Sequence, residues 1–419
     1  MVDKNLFLYD FALVAIMKGE EPYVKEWLDY HLLAGVNHFY IYDNGSTPEF
    51  KKILQPYIDA EIVTYISYPG KFRQIEAYSD ALWRFRFLCR YMAFLDGDEF
   101  IFPKKRSTVT ELADYLIKDD NEVLGITLHW MIYGSNGQIN ADYSKGILER
   151  FTRREAIFNQ QIKSVINPRR ANYFWTSHFP VGYYGCNFID VNDDQYAVIH
   201  HYHTKSREEY TLKENRGNAI YHKDVFYTDS MFEAHDKNEV YDDSILKYRA
   251  ARQAETGGIE SLFAQKQINY PRIFEALAKN LLPVTDEHTP QNFFENKLED
   301  FMVCWKISLY LQKIFPDEEN IKLFEEAAIE SLLKSVKSIS YIPIVEAQLL
   351  LSELPELLKI NPTDAKQIRG VCIQIIKFLR QFLNDGVAVS HNTNLWKDFA
   401  NWNYNLRILE SLEVLDKRS

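Results

Sequence analysis

The chain has 419 residues, 46% of them hydrophobic and 26% charged, which is the make-up of a soluble globular protein with room for two domains. A formal net charge of −11 excludes a general nucleic-acid binder, which would carry a basic face. Cys89, Cys186, Cys304 and Cys372 form no CxxC pair, so reduced thiols in a cytoplasmic protein are expected rather than a disulfide or zinc framework.

The opening stretch, "MVDKNLFLYDFALVAIMKGEE", is apolar but interrupted by Asp10, with no small-residue cleavage site after it. Neither a signal peptide nor a membrane span is expected. "FALVAIM" (11–17) then reads as a strand, and "EEPYVKEWLDYHLLAG" as a helix with Pro22 in its first turn, Val24, Trp27, Leu28 and Leu32 on one face, and Gly35 as its stop. "VNHFYIYDNGS", "EIVTYIS" and "YMAFLD" continue as strands, alternating with helices in "PEFKKILQPYI" and "RQIEAYSDALWRFRFLC". That alternation predicts an α/β fold, a sheet with helices on its faces and ligands gathered at the strands' carboxyl ends. Polar clusters fall at those ends: Lys18-Gly19-Glu20, Asp43-Asn44-Gly45-Ser46 and Asp96-Gly97-Asp98.

From about residue 120 to 205 the pattern is more β-rich, in "VLGITLHWMIYG", "GILERFTRR", "IKSVINP" and "QYAVIHHYHTKS". After Pro283 helical periodicity takes over, in "FMVCWKISLYLQKIF", "IKLFEEAAIESLLKSV", "IPIVEAQLLLSEL" and "QIRGVCIQIIKFLRQFL". The expected division is a catalytic domain over 1–284 and an all-helical C-terminal domain over 285–419.

The stretch "YMAFLDGDEFIFP" ends an apolar run with three acids, Asp96, Asp98 and Glu99. Two carboxylates at a strand end can hold one hard cation, and a solvated turn is the competing reading. An aspartyl-nucleophile phosphatase would want Thr or Val after the second Asp, where Glu99-Phe100 stands.

The context of that stretch is an ordered series. It runs from "MKGEEPYVKEWLDYHLLAGVNHFYIYDNGS" through "RQIEAYSDAL", "FLDGDEFIFP", "HWMIYGSNG", "ERFTRR", "KSVINP" and "SHFP" to "HHYHTKSREEYTLKENRG". In that order it resembles glycosyltransferase family 92 and its family-2-like bacterial relatives, over residues 10 to 220. The resemblance implies a GT-A fold, a Rossmann-like mixed sheet flanked by helices that binds a nucleotide-sugar. It implies Asp96 and Asp98 as ligands of Mn²⁺ or Mg²⁺, with His201 as a third metal or diphosphate contact. Gly97 stands where the family has a hydrophobic residue, which leaves the ligands in place and touches only the backbone.

The resemblance also assigns Glu20, Asp43, Asn44 and Ser46 to the rim that holds base and ribose, beside the turn-forming role such residues serve. Gln74 and Tyr78, at i and i+4, share a helix face that could line the same pocket. His201 and His203 fall on one side of an extended segment and His200 on the other; no further ligands at zinc spacing accompany them. In "KSREEYTLKENRG", Glu208, Glu209 and Lys213 suit i,i+4 pairing on a solvated helix, leaving Lys205 and Arg216 for the diphosphate. The general base stays open between Glu149 and His178, either of which also reads as structural, and Trp130 reads equally as a sugar platform or a core residue.

The reading that results is an inverting, metal-dependent hexosyltransferase that uses a UDP-sugar such as UDP-galactose or UDP-glucose. Its acceptor would be a glycan or glycolipid in surface polysaccharide synthesis. It would act in the cytoplasm, peripherally at the inner membrane face, with the helical region docking acceptor, partner or a second copy. A metal-dependent nucleotidyltransferase and a non-catalytic sugar- or nucleotide-binding protein are the alternatives.

Overall fold

A computed structural model describes residues 2–118, 120, 122–157, 159–183, 185–191, 195–216, 229–265, 268–281, 298–338, 344–353, 356 and 370. The chain divides into two compact units. One comprises Phe7–Gly182 and Asn187–Tyr270; the other comprises Val2–Leu6, Tyr183–Cys186 and the residues from Pro271 on. The expected boundary between 284 and 285 lies outside the described residues.

The first unit opens with β1 (Tyr9–Met17), α1 (Val24–Leu33), β2 (His38–Asp43), α2 (Pro48–Asp59), β3 (Val63–Ser67), α3 (Gln74–Phe85) and β4 (Cys89–Phe94). These are the strands and helices expected from the sequence. β1 lies between β2 and β4, parallel to both. Phe11–Ala15 are fully buried, as a strand covered on both faces requires. Pro48 opens α2, where its fixed φ and missing N–H cost nothing. Gly35, past the end of α1, has φ +97°, and an added Cβ would stand 2.6 Å from Thr108 Cβ, so no other residue fits there.

Next come β5 (Glu99–Pro103), α4 (Val109–Leu116), β6 (Val123–Ile132), α5 (Ile147–Arg150), β7 (Arg153–Arg154), β8 (Ile162–Ile166), β9 (Ala171–Phe174), β10 (Pro180–Gly182), β11 (Asn187–Val191) and β12 (Ala197–His201). The unit closes with α6 (Arg207–Arg216), α7 (Asp229–His235), β13 (Val240–Tyr241), α8 (Ser244–Thr256) and α9 (Gly258–Ala264). The main sheet runs β3-β2-β1-β4-β8-β6-β12-β5, with β11 also paired to β6. β8 is antiparallel to β4 and β6, and β5 antiparallel to β12, so the sheet is mixed.

This order forces curvature. β4 and β5 are four strand spacings apart, about 19 Å in a flat sheet. The five residue steps from Phe94 to Glu99 reach at most about 18 Å even when fully extended, and they contain a turn at Gly97-Asp98. The sheet therefore curls until the end of β4, the start of β5 and the end of β12 meet. One core, including Leu13, Trp27, Ile41, Phe100, Ile126 and Ile199, fills the space beneath.

In the second unit the described helices are α10 (Tyr270–Leu281), α11 (Leu298–Ile314), α12 (Glu319–Ser338) and α13 (Ile344–Ser352). α11 buries Phe301, Met302, Trp305 and Leu311 and packs on α12, which buries Ile321, Ala328 and Leu332. The stretch at 367–383 lies outside the described residues, apart from Gly370. No helix among the described residues is long and apolar enough to cross a membrane.

Candidate active site

Because β1, β2 and β4 are parallel, with Met17 opposite Asp43, the segments that follow them emerge along one edge. The curl adds β12 to that edge: His201 pairs with Glu99, and Tyr202 N donates to Asp98 O at 2.9 Å. Asp96, Asp98, Glu99 and His201 thus come from a turn and a strand more than a hundred residues apart.

Asp98 is buried. Its Oδ2 accepts from Lys213 Nζ at 2.7 Å, and its Oδ1 lies 3.6 Å from His201 Nε2. Burial alone would raise its carboxyl pKa, but Lys213, His201 and Lys205 together hold it well below the usual range. Asp96 is about one-third exposed; its Oδ2 accepts from Lys163 Nζ at 3.0 Å, and its Oδ1 from Gln74 Nε2 and from Tyr78 OH at 3.3 Å. Burial opposes its ionisation too, and the Lys163 ammonium more than offsets this. Glu99, fully buried, is pushed up to about 8 by desolvation, against the pull of Lys163, so it is protonated at neutral pH. With Glu99 neutral, two carboxylates face two ammonium groups.

His201 is buried and held neutral by desolvation, with Asp98 pulling the other way. Its ring meets Trp130 at 4.3 Å and His203 at 5.2 Å. His203 lies beyond the strand end against His235, while His200 faces the other way, against Tyr133 and Phe102. His178, between β9 and β10, stands 5.5 Å from the Trp130 ring, and its Nδ1 donates to Ile162 O at 2.8 Å. Burial first, and Lys163 second, lower its pKa.

The other sequence candidates divide. Gln74 and Tyr78 do share a face, and both reach Asp96. Glu20 lies 3.5 Å from Lys205 Nζ, and the two border a cavity of about 150 Å³ lined also by Tyr23, Tyr143, His203 and Lys213. Asp43 is occupied by its own turn, accepting from Ser46 N at 2.8 Å, Gly45 N at 3.1 Å and Tyr65 OH at 2.6 Å. Asn44 donates to Tyr68 O and Gly70 O, and Ser46 Oγ accepts from Gly19 N. Glu149 is exposed and held by Arg249 Nη2 at 2.8 Å, whereas His178 lies in the field of Lys163 and Asp96. Arg216 ends α6, and its side chain lies outside the described residues.

One expectation fails. Lys213 is not paired with Glu209 along the helix: it reaches Asp98, while Glu209 turns inward to Arg150. An i,i+4 spacing admits such a pair but does not enforce it, and a buried carboxylate is the stronger partner for the ammonium. Lys163 was missed as well, and Glu99, read only as one of three acids, is the one that burial pushes up. A lysine inside the apolar run "IKSVI" was a usable signal, since a buried lysine needs a counter-charge.

The sequence profile of glycosyltransferase family 92 matches residues 14–241. The chain belongs to this family. A family 92 protein of Oryza sativa subsp. japonica is 23% identical over 316 residues, 74% of this chain and 45% of its own. One of Ricinus communis is 23% identical over 215 residues, 51% of this chain and 39% of its own. A galactan beta-1,4-galactosyltransferase of Arabidopsis thaliana is 30% identical over 99 residues, 21% of this chain and 19% of its own. The chain thus spans less than half the length of these relatives. The crystal structure of residues 1–349 of S. aureus TarS in complex with UDP aligns with 89% of this chain and 91% of its own at 10% identity; its TM-score of 0.31 is too low to carry an argument.

The family's expected divalent ion can be tested against the donor set. Two carboxylates and an imidazole are suitable ligands for Mn²⁺ or Mg²⁺. The 3.6 Å between His201 Nε2 and Asp98 Oδ1 exceeds a hydrogen bond. It is a separation that two ligands bonded at about 2.1 Å to one ion can span. His201 Nδ1 is buried without a hydrogen-bond partner among the described residues. Against this, an ammonium already sits on each carboxylate, and among the described residues no three His, Cys, Asp or Glu side chains form a ready cage. The residues fit an ion that binds in competition with the lysines.

Proposed function

We propose that the chain is an inverting, metal-dependent glycosyltransferase that moves a hexose from a UDP-sugar to a glycan or glycolipid acceptor. The observation that carries the reading is the pairing of Asp98 with His201 at the curled edge, with Lys213 on Asp98 and Asp96 two residues before it, in a member of family 92. The galactosyltransferase relative supports UDP-galactose as the first donor to try.

In this reading Asp98 and His201 would hold the ion, with Asp96 beside them, and a bound ion would supply positive charge for the departing diphosphate. Lys205 and Lys213 present ammonium groups along the adjoining cavity, where they help carry the same charge. His178 serves as general base. Its Nδ1–H is committed to Ile162 O, so the lone pair is on Nε2, and burial keeps the ring neutral and able to take the acceptor hydroxyl's proton. Glu149, already neutralised by Arg249, is the weaker candidate. Work in surface polysaccharide synthesis at the cytoplasmic membrane face, with the helical region as docking element, completes the proposal.

The test is a panel of nucleotide-sugars with and without Mn²⁺, read as release of the nucleoside diphosphate. Metal-dependent UDP release from one UDP-hexose is expected. No release from any donor, together with no UDP binding by calorimetry, would overturn the proposal. Pyrophosphate release from a nucleoside triphosphate would favour a nucleotidyltransferase.

A further inference from the structure

Lys163 is the second residue of β8, opposite Leu128 of β6 and just before the part of the strand that also pairs with β4. Its side chain is almost fully buried. Taking an ammonium out of water costs several kcal/mol unless every donor is satisfied and a counter-charge is near. Here the ammonium donates to Asp96 Oδ2 at 3.0 Å and Ser177 O at 3.2 Å, and Glu99 Oε2 lies 3.4 Å away. These belong to two separate parts of the site. Asp96 and Glu99 bracket the acid turn, and Ser177 precedes His178 in the β9–β10 connection. The neighbour of Lys163 on β8, Ile162, accepts the His178 imidazole through its carbonyl.

We infer that Lys163 is a positioning residue: its ammonium ties the acid turn to the segment carrying His178, and its fixed charge sets how tightly the acid pair takes a divalent cation. The inference rests on the metal reading of Asp96, Asp98 and His201 given above. A neutral donor could bond Asp96 Oδ2 equally well in geometry. Only a cation would also repel an incoming ion through the carboxylate it shares, because in a poorly solvated site charge interactions a few ångströms apart are only weakly screened. Lys163 would thus keep the acid pair folded and charge-balanced without metal, while weakening its hold on the ion.

The experiment is titration of the full chain with Mn²⁺ alone, without nucleotide, for wild type, Lys163→Met and Lys163→Arg. Lys163→Met should bind Mn²⁺ at least tenfold more tightly and show a larger Mn²⁺-induced rise in melting temperature; Lys163→Arg, which keeps the charge, should stay near wild type. A residue that served only packing would lower the melting temperature of Lys163→Met without changing Mn²⁺ affinity. If wild type binds Mn²⁺ and Lys163→Met binds it equally or more weakly, the inference fails while the metal site stands. If no variant binds Mn²⁺, the metal reading fails and takes the inference with it. Should Lys163→Met not fold, Lys163→Gln, neutral but still able to donate to Asp96, provides the same comparison. Lys163→Gln should bind Mn²⁺ more tightly than wild type, and equal affinities would overturn the inference.

Discussion

Around Glu209 every charge has its match, whereas around Asp96 and Asp98 several polar atoms do not. Glu209 accepts from Arg150 Nη1 at 2.9 Å and Nη2 at 2.6 Å, from Tyr23 OH, and from the N and Oγ of Ser206. Both partners of that pair are almost fully buried. The acid turn is equally deep, but among the described residues Glu99 Oε1, Trp130 Nε1 and His201 Nδ1 are buried without a hydrogen-bond partner. Buried polar groups are normally satisfied because leaving one unpaired costs about 1–3 kcal/mol. The first cluster has its bonding capacity filled and forms part of the wall of the cavity beside Lys205. The second keeps bonding capacity in reserve, together with a partly exposed carboxylate, as a binding site does.

The contrast is tested most severely by removing one partner from the closed cluster. Arg150→Ala leaves the Glu209 carboxylate buried and uncompensated and should cost about 3–5 kcal/mol in denaturant unfolding. A cost below about 1 kcal/mol would show the pair to be no better than a surface ion pair. Asp98→Asn in the open cluster should separate stability from activity. It leaves Lys213 without its carboxylate, but Lys213 is partly exposed and repulsion with Asp96 is relieved, so the fold should be weakened by less than in Arg150→Ala, while metal-dependent UDP release should fall roughly a thousandfold. Activity within a few-fold of wild type would remove Asp98 from the metal site.

Acid titration sharpens the comparison further. The Glu209 carboxyl is desolvated, yet Arg150, Ser206 and Tyr23 hold its pKa at about 2 in the folded chain, against 4.5 for a free group. A depressed carboxylate pKa stabilises the fold above the unfolded value, and that stabilisation is lost as pH falls through the folded value. Between pH 4.5 and about 2 the chain should therefore lose roughly 3 kcal/mol from this group. In Arg150→Ala that part of the pH profile should flatten, and an unchanged slope would mean that other carboxylates carry it.

The smallest effects distinguish the two base candidates. His178→Ala should reduce turnover roughly a hundredfold while sparing UDP binding. Glu149→Ala, which loses only a half-exposed ion pair with Arg249, should change turnover by no more than a few-fold and stability by less than about 1 kcal/mol. Equal losses of turnover would leave neither residue as the unique base.

Much of the frame was legible in the chain order. Apolar strands alternating with amphipathic helices fixed β1 to β4 and α1 to α3, because burial periodicity and Gly, Pro and turn residues act over a few neighbours. The acid turn was legible for the same reason, since charges so close behind an apolar strand are a local anomaly. Glu20, Asp43, Asn44 and Ser46 do follow the first two strands, but their present partners were not legible: Asp43 satisfies its own turn and Asn44 bonds Tyr68 and Gly70. The helix carrying Lys213 looked like a solvated face because nothing nearby in sequence marks Asp98 as its partner.

The sequence by itself determined the elements and the acid cluster, which follow from spacing along one segment; alternation separated His201 from His200, and the family resemblance, not spacing, singled out His201. Only the tertiary structure decided which charges meet. The curl of the sheet brings residues 96–99, 163, 178, 201 and 213 to one edge. Once there, the low dielectric makes each side chain's protonation depend on neighbours far away in the chain. Glu99 is neutral and Asp98 ionised although they are adjacent in sequence, because Glu99 is fully desolvated with only part of an ammonium, whereas Asp98 has Lys213 and His201 beside it.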